Sequence, residues 1–237
     1  LEFFNSKKGR KYISKINKNK KVWLDLKLLD IPNTVSAAIY SLSDLRNINY
    51  LTIHASGGFE MMKSAKKAAK KINKNLKILG VTVLTSFSET SIRNIGHTKS
   101  IKNLVLLQAK LAKKAGLDGI VCSGHESKII RKTCKNMEII TPGIRLKGDN
   151  AQDQKRVVSP SQSFRNGATG IVIGCCSGCT KMENPTPPIT PIEGIDFTLD
   201  LTDPLMSNLQ NPGANLIVDE EGNITETGLF VIALSQE

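Results

Sequence analysis

Two acidic residues and a lysine stand close together where an apolar segment ends. In the stretch VWLDLKLLDIPNTV, residues 22–35, Asp25 and Lys27 are two residues apart, and Asp30 precedes a proline by two positions. Residues two apart on a strand point to the same side, so Asp25 and Lys27 would share one face. Flanking carboxylates keep a lysine protonated, which favours a general acid for a carbanion over a Schiff-base nucleophile. On spacing alone, a structural ion network is equally plausible.

The elements that would position these residues alternate regularly. Short apolar runs of strand type are separated by helix-like segments, which is typical of parallel βαβ units covered by helices. Polar or glycine residues follow each run, as the active face of a (β/α)₈ TIM barrel requires. The sequence therefore predicts an α/β fold of this kind, although only six of the eight units are visible. The runs are KVWLDL (21–26), YLTIHA (50–55), LKILGVTVLTS (76–86), LDGIVCS (117–123), NMEIITPGI (136–144) and ATGIVIG (168–174).

Composition changes abruptly near residue 175. The chain has 237 residues and a formal net charge of +12, yet residues 175–237 hold one basic residue, Lys181, against ten acids. We therefore expect a barrel domain at 1–174 and an acidic, Pro-rich tail at 175–237 that ends in a short β-hairpin. The lysine-rich segments of the first part lack interleaved aromatic residues, which favours solvated helix faces over a nucleic-acid surface.

Cysteine content and hydropathy indicate the cellular compartment, metal binding and membrane association to expect. The five cysteines show no disulfide framework, which is typical of a reduced, cytoplasmic protein. No second Cys or His pair accompanies the CCSGC cluster at zinc-like spacing, so no metal site is predicted. No apolar run is long enough to span a bilayer, and no membrane association is expected.

The residues around Lys27 carry a family resemblance. DLKLLDIPNTV, residues 25–35, resembles the signature of the orotidine 5′-phosphate decarboxylase family, bacterial type, which ends the third barrel strand. Similar segments follow in order: LTIHASGG (51–58), VTVLTS (81–86), GLDGIVCS (116–123), TPGIRLKGDNAQDQKRV (141–157) and GIVIG (170–174). The resemblance implies a TIM barrel that is incomplete here, without its first two strands and last helix. It also implies decarboxylation of orotidine 5′-monophosphate to UMP in pyrimidine biosynthesis, with no cofactor.

The resemblance also implies roles for individual residues. Asp25 would lie against the departing carboxylate, and Lys27 would stabilise the C6 carbanion and then protonate it. Asp30 and Thr34 would reach into the partner's site in a homodimer. The residues that would bind substrate are Thr85 and Ser86 at the pyrimidine, and Arg145, Gln154 and Gly174 at the phosphate.

Departures from the family pattern leave alternatives open. The family's Lys and Asp on its first two strands fall outside this chain, and Cys175 stands where the family has an arginine. We expect a fragment joined near residue 175 to unrelated sequence, with weak activity and with free edges on its first and last strands. The alternatives are a magnesium-dependent phosphosugar decarboxylase or synthase of the same superfamily, and an inactive fragment that acts only as a binding module.

Overall fold

A computed structural model describes residues 9–16, 21–45, 47–144, 156, 158–174, 214–218 and 229–232. The helices are α1 Gly9–Lys15, α2 Pro32–Tyr40, α3 Gly58–Ile72, α4 Glu89–Asn94, α5 Ile101–Lys114, α6 Ser127–Thr133 and α7 Pro160–Arg165. The strands are β1 Lys21–Leu28, β2 Ile48–His54, β3 Lys77–Val81, β4 Gly119–Val121, β5 Glu138–Ile144, β6 Gly170–Gly174, β7 Ala214–Val218 and β8 Leu229–Ile232.

Strands β1 to β6 pair in chain order, and every neighbouring pair is parallel. Helices lie between successive strands, so the prediction of an α/β barrel built from βα units is confirmed. Parallel strands covered by helices are buried on both faces, which explains why their sequences are almost continuously apolar. The carboxyl ends of all six strands therefore gather at one end of the barrel.

Two separate apolar clusters pack the two faces of this sheet. The larger cluster lies between strands and helices, and α3 contributes a face of small residues such as Ala65, Ala68 and Ala69, all almost fully buried. Four lysines of that helix are exposed, in line with the solvated-face interpretation, whereas Lys66 is largely buried and pairs with Asp118. The smaller cluster fills the barrel interior and consists of Trp23, Leu79, Val81, Val121 and Ile140.

Two C-terminal strands close the barrel. Strand β7 pairs antiparallel with β6 and with β8, and β8 pairs parallel with β1, so the ring runs without a break from β1 to β8. The prediction of free edges on β1 and β6 is therefore wrong for the described strands. An open edge presents unpaired N–H and C=O groups, and pairing with β7 and β8 satisfies them. The predicted absence of the family's last helix, after β6, concerns residues outside the described part of the chain.

Helices of the described residues are too short or too polar to cross a lipid bilayer.

Candidate active site

Asp25 and Lys27 meet at the carboxyl end of β1. The Lys27 ammonium forms an ion pair with Oδ2 of Asp25, whose side chain is only 13% exposed. The Lys27 side chain keeps 37% of its surface accessible, so its ammonium is partnered and can still meet a ligand. The ion pair with Asp25 therefore fixes the direction in which the ammonium points.

The backbone at Lys27 is distorted in a specific way. Lys27 has φ of +49°, a left-handed conformation that no other non-glycine residue adopts in the described part of the chain. The pairing of β1 with β2 also shifts register between Leu24 and Leu28. A non-glycine residue in this region costs about 1–3 kcal/mol, and such distortions concentrate at functional sites. Simple strand alternation, from which the Asp25–Lys27 proximity was predicted, therefore does not hold over these residues, although the two side chains do meet.

Thr52 connects the two residues from the neighbouring strand. Its hydroxyl donates to Oδ1 of Asp25 at 2.7 Å and accepts the Lys27 backbone N–H at 2.9 Å. Thr52 is fully buried. The sequence analysis missed it, yet period-two alternation on β2 offered a signal, because Tyr50, Thr52 and His54 share one face of that strand.

His54 ends β2 beside this pair. Burial lowers the pKa of its imidazole below the ordinary value, the positive charge of Lys27 lowers it further, and Asp25 opposes both effects. The neutral imidazole is therefore favoured at this position, next to a lysine that carries the charge.

Asp30 and Thr34 lie apart from the ion pair, on the exposed side of the β1–α2 connection. Asp30 is exposed and its Oδ1 accepts the N–H of Ile31 at 2.7 Å. Thr34 is exposed in the first turn of α2. Leu29 and Ile31 beside them are 55% and 66% exposed. Among the described residues of this one chain, neither Asp30 nor Thr34 forms a hydrogen bond or ion pair with Asp25 or Lys27.

Thr85 and Ser86 lie in a turn beyond the end of β3. The turn is closed by the Phe87 N–H, which donates to the Leu84 carbonyl at 3.1 Å. Thr85 is buried, with 9% of its surface exposed, and Ser86 is exposed. The predicted strand over 76–86 is thus too long, because β3 ends at Val81.

A buried ion pair that the sequence analysis missed lies against this turn. Arg156 pairs with Glu126, and its Nη2 donates to the carbonyls of Val83 and Leu84 at 3.0 Å each. Burial raises the pKa of the Glu126 carboxyl, and the Arg156 charge opposes that rise. Arg156 lies in the segment 141–157 that carries the family resemblance. The local sequence, however, does not indicate which residues its side chain contacts.

The remaining predicted substrate residues are only partly described. Arg145 and Gln154 lie outside the described residues. Gly174 is the last residue of β6, where it pairs with Asn215 of β7. Within the described residues, no cluster of three or more His, Cys, Asp or Glu side chains could hold a metal ion. The CCSGC cluster falls on residues outside that part.

Comparison with known proteins gives consistent results. Residues 1–185 match the family model described as Orotidine 5'-phosphate decarboxylase / HUMPS family. The chain is 42% identical over 188 residues to the Orotidine 5'-phosphate decarboxylase of Wolbachia pipientis subsp. Culex pipiens, covering 78% of this chain and 80% of that protein. It is 47% identical over 167 residues to the Fusobacterium nucleatum protein of the same name, covering 70% and 69%.

Solved structures also resemble the chain over part of its length. The crystal structure of Orotidine 5'-phosphate decarboxylase from Lactobacillus acidophilus matches with a TM-score of 0.55 and 35% identity, over 62% of this chain and 63% of that one. The chain thus spans less than two thirds of that structure. An uncharacterized conserved protein from Geobacillus kaustophilus matches with a TM-score of 0.54, at 24% identity, over 71% and 86%. The second match bears on the fold alone.

Proposed function

Because this chain belongs to the Orotidine 5'-phosphate decarboxylase / HUMPS family, we propose that it removes CO₂ from orotidine 5′-monophosphate to give UMP in pyrimidine biosynthesis. The relatives reported above carry the name of this decarboxylase. They do not favour the magnesium-dependent phosphosugar alternative. The substrate is a small nucleotide, and we propose neither nucleic acid nor a membrane as partner.

The reaction breaks the bond between C6 of the pyrimidine and its carboxylate. The electron pair of that bond stays on C6, CO₂ leaves, and Lys27 delivers a proton from Nζ to C6. Solvent then restores the proton to Lys27. Asp25, next to the departing carboxylate, disfavours the ground state electrostatically, and the ammonium stabilises the negative charge as it develops.

The single observation that carries this proposal is the fixed ammonium at the mouth of the barrel. The side chain of Lys27 pairs with Asp25, and the backbone N–H of Lys27 donates to the Thr52 hydroxyl. Lys27 adopts a strained backbone conformation in this arrangement. A structural ion pair needs no such backbone conformation. Charges that are fixed before the reaction starts need no reorganisation as the anion forms, which is the main source of acceleration in a site of this kind.

Other residues complete the proposed site. We assign the pyrimidine contacts to Thr85 and Ser86, and the phosphate contacts to Arg145, Gln154 and the backbone of Gly174. Binding energy from a phosphate remote from C6 can be used to orient the reacting ring. The buried thiols of Cys122 and Cys134 are unpaired, which fits a reducing compartment, and we place the reaction in the cytoplasm.

We propose that the active assembly is a homodimer. Asp30 and Thr34 are exposed and sit beside the exposed apolar side chains of Leu29 and Ile31. A partner subunit that covers these residues would bury Leu29 and Ile31. Asp30 and Thr34 of one subunit would then approach the active site of the other. The mass of the folded protein in solution measures this assembly.

Lys27→Ala tests the chemistry. We expect release of CO₂ from orotidine 5′-monophosphate to fall by about 10²-fold or more, because the proton donor and the positive charge are both lost. The assay is run in EDTA, so that the magnesium-dependent alternative would show no activity at all. UMP is expected to raise the unfolding temperature of the wild-type protein under the same conditions, since it binds only the folded state.

Lys77→Ala is the matched control. Lys77 forms a comparable ion pair with Glu138 and is 44% exposed, but it lies at the first residue of β3, away from the carboxyl ends of the strands. Equal rates in wild type and Lys27→Ala would remove Lys27 from the mechanism. A wild-type protein that neither releases CO₂ nor responds to UMP would favour the binding-module alternative.

A further inference from the structure

We propose that Arg156 is a positioning residue of the substrate site, which holds the turn carrying Thr85 and Ser86 in the geometry that binding requires. This inference rests on the proposed function and adds a residue to it. Among the described residues, Arg156 forms no hydrogen bond or ion pair with Lys27 or Asp25, so it acts through the backbone of the turn.

The Arg156 guanidinium forms hydrogen bonds with two consecutive backbone carbonyls of the turn. Nη2 donates to Val83 and to Leu84, both at 3.0 Å. The Leu84 carbonyl also accepts the Phe87 N–H at 3.1 Å, so one oxygen both closes the turn and receives the arginine. Thr85 follows these two carbonyls directly. Any displacement of the carbonyls would therefore move the side chains of Thr85 and Ser86.

A second set of contacts fixes Arg156 from the end of β4. Its Nη1 pairs with Oε1 of Glu126, which is 7% exposed, and the arginine side chain itself is 14% exposed. The Arg156 backbone carbonyl accepts the Ser123 hydroxyl at 3.4 Å. Glu126 in turn donates its N–H to the Ser123 carbonyl at 3.0 Å. Arg156 thus links the carboxyl ends of β3 and β4 through a planar group with little freedom to move.

The position of this link argues for a role beyond stability. It lies at the strand ends where Lys27 also lies, and Arg156 comes two residues after Gln154, one of the proposed phosphate contacts. A displacement of about 1 Å in a positioning group can cost about 10²-fold in rate. An arginine that serves only stability could be placed at either end of the barrel.

Arg131 provides such an arginine for comparison. It also binds three backbone carbonyls, donating to Gly167 at 3.0 Å, Lys135 at 2.6 Å and Met137 at 3.0 Å. These carbonyls precede β5 and β6, at the opposite end of the barrel from Lys27. Arg131→Lys and Arg156→Lys therefore each remove a guanidinium that binds several backbone carbonyls, one at each end of the barrel.

The experiment compares these two variants at a temperature where both are folded. For Arg156→Lys we expect the KM for orotidine 5′-monophosphate and the Kd for UMP to rise by about tenfold or more, because a lysine cannot bridge two carbonyls and Glu126 together. Amide exchange at Phe87 should also become faster. For Arg131→Lys we expect a lower unfolding temperature, with KM, Kd and Phe87 exchange as in the wild type.

The outcomes separate the two proposals. Wild-type protein that neither binds UMP nor releases CO₂ overturns the proposed function. Wild-type protein that does both, with Arg156→Lys equal to it in KM and Kd, overturns the positioning role alone. Equal increases in KM for Arg156→Lys and Arg131→Lys would show that the effect is general loosening, and would overturn it as well.

Discussion

At the scale of single residues, Thr52 explains how Lys27 can hold its unusual backbone. A residue with positive φ leaves the regular ladder, and its N–H needs another acceptor. Thr52 supplies that acceptor and uses its own proton to fix Asp25. One hydroxyl therefore fixes the position of both Asp25 and Lys27 through hydrogen bonds. A valine of similar shape could form neither of these bonds.

Thr52→Val should accordingly weaken both the fold and the reaction. The Lys27 N–H would be left without an acceptor and Asp25 without a donor, which we expect to lower the free energy of unfolding by about 1–3 kcal/mol. We expect kcat/KM to fall by about tenfold, since a loss of about 1.4 kcal/mol in transition-state stabilisation has that effect. Urea unfolding and steady-state kinetics measure the two quantities.

Thr52→Ser is the control for this prediction. It keeps the hydroxyl and removes a methyl group, so activity should stay close to that of the wild type. A Thr52→Val protein with unchanged kcat/KM would mean that the orientation of Asp25 does not depend on this hydrogen bond.

The sequence could predict part of this site and not the rest. The proximity of Asp25 and Lys27 follows from their spacing, and the family resemblance points to the same residues. The bulge, the positive φ and the Thr52 contact depend on the register between β1 and β2, which no local pattern specifies. Arg156 is a stronger case, because Glu126 lies 30 residues earlier in the chain and Val83 and Leu84 lie 73 and 72 residues earlier.

At the scale of elements, the β1–α2 connection and α2 present the most exposed apolar side chains near the site. Leu29 and Ile31 belong to this surface, and Tyr40 at the end of α2 is 40% exposed. Pro32 begins the helix with a fixed φ, so the connection is short and stiff. A stiff, apolar connection is well suited to dock against a second copy without losing much conformational entropy.

Ile31→Asp tests the proposed dimer at this connection. A charge placed in an apolar interface would have to be desolvated without a partner, so we expect the protein to change from dimer to monomer. Light scattering after size exclusion gives the mass. Ile95→Asp is the control, because Ile95 is similarly exposed, at 59%, in the segment between α4 and α5. Wild-type protein that is already monomeric at micromolar concentration would contradict the proposal.

The boundaries of elements were predictable where the pattern is local. Each of the six predicted apolar runs overlaps a strand of the barrel, although β1 ends two residues after its run and β2 begins two residues before its run. Helices α3 and α5 lie in the helix-like segments that separate these runs. Helix α4 was missed, because six residues starting at the Ser88 cap are too few to show a helical period. Strand β3 was predicted too long, because the carbonyls of Val83 and Leu84 bind Arg156 instead of a neighbouring strand.

At the scale of the whole molecule, the closing strands differ chemically from β1, which carries Asp25 and Lys27. β7 reads ANLIV and β8 reads LFVI, so neither carries an ionisable side chain. They complete the hydrogen-bonded ring between β6 and β1 but add no charge to the Asp25–Lys27 pair. Among the described strands, β1 supplies the ion pair of the proposed site.

Removal of residues 175–237 tests this closure. A chain that ends at Gly174 would leave the edges of β1 and β6 unpaired, and we expect a lower unfolding temperature and particles larger than a dimer. Val231→Pro in the full chain should act in the same direction, because Val231 pairs with Trp23 and proline cannot donate to the ladder. A shortened chain with the mass and unfolding temperature of the full one would show that β7 and β8 contribute nothing.

The pairing of Lys21 with Leu229 has a further consequence, for the way the protein is made. The ribosome adds Leu229 about 200 residues after Lys21, so β1 emerges long before its partner β8. Until then the edges of β1 and β6 in the nascent chain would lack hydrogen-bonding partners. This is the interval in which newly made proteins are most prone to aggregate. Contacts between such distant parts of a chain also form slowly. We therefore expect its yield in cells to depend on chaperones more strongly than its final stability would suggest.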